Sequence, residues 1–299
     1  MADIPEAKTY RQQLEYAEEM LKPLSLKMEN LEARELVAYA SRMCEAIISA
    51  GELKGSRLDA FAPVSSSLIL DDVLARRLSD EPLALIIGEW DFMSITIKTA
   101  RGVLLPRADT ECVAEYALSL LEDNGRILDL CCGTGCIGLS ILHEKRDARC
   151  IFGDISEKAL ELTEKNVRSL GFSSRSEVRR IDALEDLCPE IEPESLDLIV
   201  CNPPYISSDE MLTLPVSVAA FEPHDALYGG VDGLSFYRCI PFTSIEALKR
   251  GGHIVFECGE GQAEEIIKYL TAAGYTDAGY KKDYNNKDRI IYGRRRNIT

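Results

Sequence analysis

Apolar positions recur at close to a helical period through the first quarter of the chain and in short continuous runs through the rest. Leu14, Ala17 and Leu21, then Leu31, Leu36, Val37, Ala40, Met43 and Ile47, each fall near one side of a 3.6-residue turn. Gly51 stands where the second helix would stop. A third helix is expected over 67–78, with an aspartate pair, Asp71-Asp72, placed near its start. Residues 1–80 therefore read as a small helical domain. The period then shortens. Ile95-Thr96-Ile97 and Val103-Leu104-Leu105 predict a β-hairpin linker over 81–108.

From residue 109 to 299 strand-like and helix-like stretches alternate, which predicts an α/β domain with a mostly parallel sheet. Strands are expected at 127–130, 148–152, 177–181, 196–201 and 253–256. An apolar helix is expected from Ile137, and another over 156–170, with Ser156 as N-cap and Gly171 as stop. Two late runs, 279–284 and 289–292, flank Asn285-Asn286-Lys287 and predict a terminal hairpin that adds an antiparallel strand.

One turn carries chemistry on its face. Asn202-Pro203-Pro204-Tyr205 follows the apolar run 196–201. Two prolines cannot continue a strand or enter a helix core, so the chain must leave the sheet in a rigid extended turn. In an open α/β sheet, ligands bind past the carboxyl ends of the strands. The turn offers the Asn202 side-chain amide and a Pro203 carbonyl with no N–H beside it, acceptors suited to a flat group bearing an NH2. Upstream, 127–130 runs into Cys131-Cys132-Gly133-Thr134-Gly135-Cys136 and then a helix. A strand, a glycine-bearing turn and a helix let a nucleotide-like cofactor approach bare backbone. The next strand ends at Gly153-Asp154, where a carboxylate can accept from ribose hydroxyls. A dinucleotide with its pyrophosphate is not the expected occupant.

Taken in order, these segments resemble a Rossmann-like class I S-adenosylmethionine-dependent methyltransferase with an amino-group acceptor. Further segments are similar to the HemK/PrmC family, which methylates the glutamine of peptide chain release factors. They are Pro82-Leu83 through Gly88-Glu89-Trp90-Asp91-Phe92, and Gly102-Val103-Leu104-Leu105-Pro106-Arg107-Ala108-Asp109-Thr110-Glu111. The loop Glu222-Pro223-His224-Asp225-Ala226-Leu227-Tyr228-Gly229-Gly230-Val231-Asp232-Gly233-Leu234 and the C-terminal Asp283-Tyr284 and Asp288-Arg289 match as well. The resemblance covers roughly residue 80 to the end.

The resemblance implies methyl transfer from S-adenosyl-L-methionine, leaving S-adenosyl-L-homocysteine, to the N5 amide nitrogen of the glutamine in a Gly-Gly-Gln loop. Asn202 and Pro203 would accept hydrogen bonds from that NH2. Pro204, Tyr205, Arg107, Thr110 and Glu111 would border the substrate. Tyr205 has an alternative reading as a structural ring, and Arg107, Thr110 and Glu111 as a salt-bridged start to the next helix. The cofactor would meet Asp129 and the loop Cys131, Cys132, Gly133, Thr134 and Gly135. Asp154 and Ile155 would hold the ribose end, Asp182 and Ala183 would border the adenine, and Asn202 would also be in reach. The family's loop usually has glycine where this chain has Cys131 and threonine where it has Cys132. A Cβ at the first position resists positive φ, so the loop is expected to be displaced or its affinity altered. The helical domain would recognise the partner protein.

Composition narrows the alternatives. The net charge is −16, with −4 in the first 80 residues and −12 after them. A duplex-binding surface is normally basic, so an adenine-N6 methyltransferase acting on nucleic acid is the weaker reading and a protein substrate the stronger. A cofactor-binding scaffold without turnover is the non-enzymatic alternative. Ten cysteines contain no C-x-x-C, and Cys131, Cys132, Cys136 and His143 fit no zinc spacing, so no metal is expected. No run is long enough to cross a bilayer and the N-terminus is polar, so the chain reads as cytoplasmic.

Overall fold

The computed structural model describes residues 8–24, 29–44, 49, 52–187 and 191–297. The chain divides into two units at Gly88/Glu89. In the first, α1 (Tyr10–Leu21) opens on a Thr9 capping box closed by Gln12. It packs with α2 (Glu29–Arg42) and α3 (Val64–Leu78). Leu14, Ala17, Leu21, Leu36, Val37 and Ala40 are buried together, with Leu70, Val73 and Leu74 of α3. Met43 is exposed, because α2 ends one residue earlier. Ile47 and Gly51 lie outside the described residues. The third helix starts at Val64, which leaves Asp71 and Asp72 in its middle rather than its first turn. A short α4 (Leu83–Ile87), unforeseen from the pattern, starts after Pro82 and ends at a left-handed Gly88.

The second unit begins with an antiparallel hairpin, β1 (Glu89–Phe92) and β2 (Ile95–Lys98), joined at Met93-Ser94. The expected partner of Ile95-Thr96-Ile97 was Val103-Leu104-Leu105. That run is no strand: Val103 is buried beside Ala159 and Leu162, so its apolar character reflects packing rather than pairing.

Seven further strands form one sheet: β3 (Arg126–Leu130), β4 (Arg149–Asp154), β5 (Ser176–Arg180), β6 (Leu196–Cys201), β7 (Leu248–Glu257), β8 (Tyr275–Lys282) and β9 (Asp288–Arg295). Their order is β5-β4-β3-β6-β7-β9-β8. The first five pair in parallel, while β9 is antiparallel to both β7 and β8. Helices α5 (Ala108–Leu120), α6 (Cys136–Glu144), α7 (Glu157–Ser169), α8 (Ser208–Met211), α9 (Val216–Ala219), α10 (Ser235–Ser244) and α11 (Ala263–Ala272) connect or cover the strands.

Successive strand residues face opposite sides of a sheet. Ile127, Phe152, Leu198 and Val255 pack with apolar residues of α5 and α6. Leu128, Leu130, Ile151, Ile199 and Phe256 pack with residues of α10 and α11. Both faces are buried, which is why the parallel strands read as unbroken apolar runs. The chain winds outward from β3 through β4 to β5, then returns to the other side of β3 as β6. That reversal opens a crevice beyond the carboxyl ends of β3 and β6.

Helix α6 sits hard on the sheet below this crevice. A Cβ at Gly138 would lie 2.5 Å from Phe152 and 2.8 Å from the Cys150 thiol. Gly138→Ala is therefore expected to destabilise the protein by about 1–3 kcal/mol, read from urea unfolding midpoints.

Candidate active site

The glycine-bearing loop leaves β3 through three residues in the left-handed region: Cys131 at φ +57°, Gly133 at +57° and Gly135 at +79°. Glycine takes these values freely, and cysteine does so at a cost. Cys131 takes a positive φ despite its Cβ, so the loop carries backbone strain at this residue. The Cys132 amide N–H donates to the Gly153 carbonyl at 3.1 Å, tying the loop to β4. The Thr163 hydroxyl on α7 donates to the Gly133 carbonyl at 2.9 Å, and Asn166 donates to that of Thr134 at 3.0 Å.

Two carboxylates anchor this region, Asp154 the loop itself and Asp129 the first turn of α6. Asp154 Oδ2 accepts the Gly133 N–H and Oδ1 accepts the Ser156 N–H, both at 2.9 Å. Each oxygen keeps a lone pair, so the group can still accept from a vicinal diol. Burial raises its proton affinity, against the pull of those backbone N–H groups. Asp129 Oδ2 accepts the Gly138 N–H at 2.8 Å and the residue is 1% exposed. Burial, partly offset by Gly138 and reinforced by Asp154, pushes its carboxyl up to about 8.

A cavity of about 520 Å³ opens above the loop. Cys131, Cys132, Gly133, Thr134, Asp154, Ile155, Asp182, Ala183 and Asn202 line it, as do Thr110 and Pro204. Asp129, Gly135, Pro203, Tyr205, Arg107 and Glu111 do not. Ile155 and Leu184 are roughly half exposed and both border it, giving apolar surface fit for a planar base. Asp182 Oδ1 accepts the Leu184 N–H at 2.9 Å and so shapes that wall.

Among the described residues no lysine or arginine lines the cavity, whereas Asp154, Asp182 and Asp225 do. Gly133, Gly135 and Gly138 follow a G-x-G-x-x-G spacing, so glycine spacing alone does not exclude a dinucleotide. The acidic lining suits a cationic, hydroxyl-bearing ligand. A sulfonium nucleoside such as S-adenosylmethionine fits this donor and acceptor set.

The opposite wall is built from two segments far apart in sequence. Leu104, Leu105 and Pro106 form one part and Pro223, Asp225 and Ala226 the other. Arg107 Nη2 pairs with Glu222, whose side chain is fully buried and also faces the Leu105 N–H at 3.4 Å. Burial raises the Glu222 carboxyl, and Arg107 opposes this. The Arg101 guanidinium lies 5.1 Å from the centre of the Phe221 ring. Arg107 is thus occupied by a structural partner, and Glu111 is as well: its Oε1 accepts the Met93 N–H at 2.9 Å. Thr110, in the first turn of α5, is 2% exposed and does reach the lining.

The Asn202-Pro203-Pro204-Tyr205 turn leaves β6 against a glycine loop. Ile206 and Leu227 share a backbone hydrogen bond of 2.9 Å, and Gly229 N–H donates to Ile206 at 2.9 Å. A Cβ at Gly229 would lie 2.6 Å from the Pro204 carbonyl oxygen and 2.7 Å from Tyr205 Cα, and one at Gly233 would strike the Tyr205 carbonyl. Gln262 Nε2 donates to the Tyr205 carbonyl at 3.0 Å while its Oε1 accepts the Gly259 N–H at 2.9 Å. The glycines stood inside a recognisable motif; Gln262, 57 residues beyond Tyr205, carried no local signal.

The sheet order, the acid-lined cavity and the rigid acceptor turn define a class I S-adenosylmethionine-dependent methyltransferase. The family model described as "Methyltransferase small domain" matches residues 96–217. The chain is 36% identical over 222 residues to the release factor glutamine methyltransferase of Clostridium acetobutylicum, covering 74% of this chain and 77% of that one. It is 36% identical over 232 residues to the protein of the same name from Cereibacter sphaeroides, covering 78% and 81%. The chain belongs to the release factor glutamine methyltransferase family.

Two outcomes follow from the loop. Cys131→Gly is expected to stabilise the protein by about 0.5–1 kcal/mol, and Cys131→Val to destabilise it by about 1–2 kcal/mol, since a β-branched residue resists positive φ. Thermal and urea unfolding check the opposite signs. The Asp129 effect depends on pH. Between an ordinary carboxyl value near 4 and about 8, the folded protein holds a proton that the unfolded chain has lost. Stability contributed by Asp129 is therefore lost as pH rises through that window. Asp129→Asn, free of cofactor, should gain on the native protein from pH 5 to pH 8, by at most about 1.4 kcal/mol per pH unit.

Proposed function

We propose that this protein transfers a methyl group to the side-chain N5 amide nitrogen of the glutamine in the Gly-Gly-Gln loop of class I peptide chain release factors. The observation that carries the reading is the rigid Asn202-Pro203-Pro204-Tyr205 turn, with Asn202 and Pro204 on the wall of an acid-lined cavity free of cations among the described residues. The family supplies the acceptor, since the relatives bear the name release factor glutamine methyltransferase.

A primary carboxamide is a weak nucleophile because its nitrogen lone pair is delocalised. S-adenosylmethionine supplies an electrophilic methyl group on a good leaving group. The residues of this chain orient the acceptor. The Asn202 side-chain oxygen, on the cavity wall, and the Pro203 carbonyl, beside it in the turn but outside the lining, would take the two N–H bonds of the incoming amide. Positive charge growing on nitrogen strengthens both hydrogen bonds, so they favour the transition state over the bound amide. The amide then gives up a proton to solvent. No side chain has to remove it beforehand.

Cys131, Cys132, Gly133 and Thr134 would hold the amino-acid end of the cofactor, Asp154 and Ile155 its ribose, and Asp182, Ala183 and Leu184 its base. Asp129 and Gly135, behind the lining, support the loop. The helical unit ending at Gly88 is assigned to recognition of the release factor, on the family resemblance. Among the described residues no helix is long and apolar enough to cross a membrane. An acceptor used in translation supports a cytoplasmic location.

The test is methyl transfer from labelled S-adenosylmethionine to a purified release factor, beside its Gln→Ala loop variant and duplex DNA. Label on the intact factor alone supports the reading. Label on DNA moves it to adenine, and cofactor binding without transfer moves it to a scaffold. Asn202→Ala is expected to lower transfer by at least about 100-fold while cofactor binding stays measurable. Equal loss of both would overturn the division of roles.

A further inference from the structure

Tyr205, last residue of the acceptor turn, is held at both ends. Gln262 takes its carbonyl, and its hydroxyl donates to Glu257 Oε1 at 3.2 Å. Glu257 ends β7 and is 1% exposed. Arg289, near the start of β9 and 8% exposed, reaches the same hydroxyl at 3.5 Å. Its guanidinium also donates to the Cys258 carbonyl at 3.0 Å and to Asp109 on α5 at 3.3 Å, with Asp283 3.6 Å from Nε. Arg289 comes within 4.0 Å of Glu257, which also takes a side-chain hydrogen bond from Thr110.

A buried ion pair is a poor way to gain stability, since desolvation offsets most of the attraction and apolar residues would fill the space as well. The pair meets the turn at one atom, the Tyr205 hydroxyl. Three elements converge there: β7, the antiparallel β9 and, through Asp109, the N-terminus of α5, which also carries Thr110 to the cavity.

We propose that Glu257 and Arg289 are positioning residues for the acceptor turn, fixing the Tyr205 ring by its hydroxyl and, through it, the placement of Asn202 and Pro203. The inference rests on the proposed methyl transfer. It gives the antiparallel strand a task in the reaction, delivery of Arg289 behind the turn.

The experiment uses the full-length protein with labelled S-adenosylmethionine and release factor. Tyr205→Phe and Glu257→Leu should each lower kcat on the order of tenfold, and the double variant no further, because both remove one hydrogen bond. Glu257→Gln, which keeps an acceptor for the phenol, should hold kcat within about threefold. The dissociation constant for S-adenosylmethionine should stay within about twofold throughout. Native kcat in Tyr205→Phe, losses that multiply in the double variant, or cofactor affinity falling in step with kcat would each overturn the inference. If Glu257→Leu does not fold, Tyr205→Phe against Glu257→Gln decides. Transfer by the native protein shows that the reading beneath holds; no label even with the native protein overturns both together.

Discussion

The parallel pairing of β3 with β6 sets Leu130 opposite Cys201, so that the next residue of each strand, Cys131 and Asn202, emerges at the same edge of the sheet. In the proposed reaction one strand delivers the cofactor loop and the other the turn that holds the amide, and both must lie within one methyl's reach. A slip of one residue in this register would turn Leu128 and Leu130, buried on one face, towards the other. The apolar content of both layers therefore fixes the meeting of loop and turn. The separation of the reacting groups is a consequence of core packing rather than of local loop chemistry.

The second constraint is electrostatic. Asp129, Asp154, Glu222 and Glu257 are carboxyl groups taken largely out of water, and burial raises the proton affinity of each. Glu222 and Glu257 have arginines facing them, Arg107 and Arg289. Asp129 and Asp154 have only backbone N–H groups. The two without a cationic partner are the two beneath the cofactor loop. A cationic ligand would supply the missing charge, and its binding would favour the ionised form of the acids under it.

Much of this was legible in the sequence, for physical reasons that can be named. Strands buried on both faces must be apolar throughout, so β3, β4 and β6 announced themselves. Two consecutive prolines have few conformations open to them, so the turn at Asn202 did too. The misread segments were those whose apolar character serves another purpose. Val103, Leu104 and Leu105 pack on a helix or line a cavity rather than pair. The partners of Tyr205 were silent because Glu257, Gln262 and Arg289 lie 52, 57 and 84 residues further on. No periodicity links them; only the return of β7 and β9 to the centre of the sheet brings them together. Cys131 was the reverse case. A Cβ stands there where glycine is usual in the resembled family, and the residue sits in the left-handed region that glycine favours.

The wall facing the cofactor loop shows why a rigid site can be assembled from segments that are individually weak. Residues 101–107 and 221–226 contain no regular structure beyond a 3-10 turn at His224–Ala226. They are joined by the Arg107–Glu222 pair and by the Arg101 contact with Phe221. Glu222, fully buried at its side chain, cannot lose Arg107 without leaving a carboxylate uncompensated, which is far costlier than the pair is beneficial. The two segments must therefore move together or not at all. In the proposed reaction the amide is held by a turn of two prolines, itself packed against glycines that allow backbone to touch backbone. A weak nucleophile is activated by being kept in one place, and both sides of the cleft are built to keep it there.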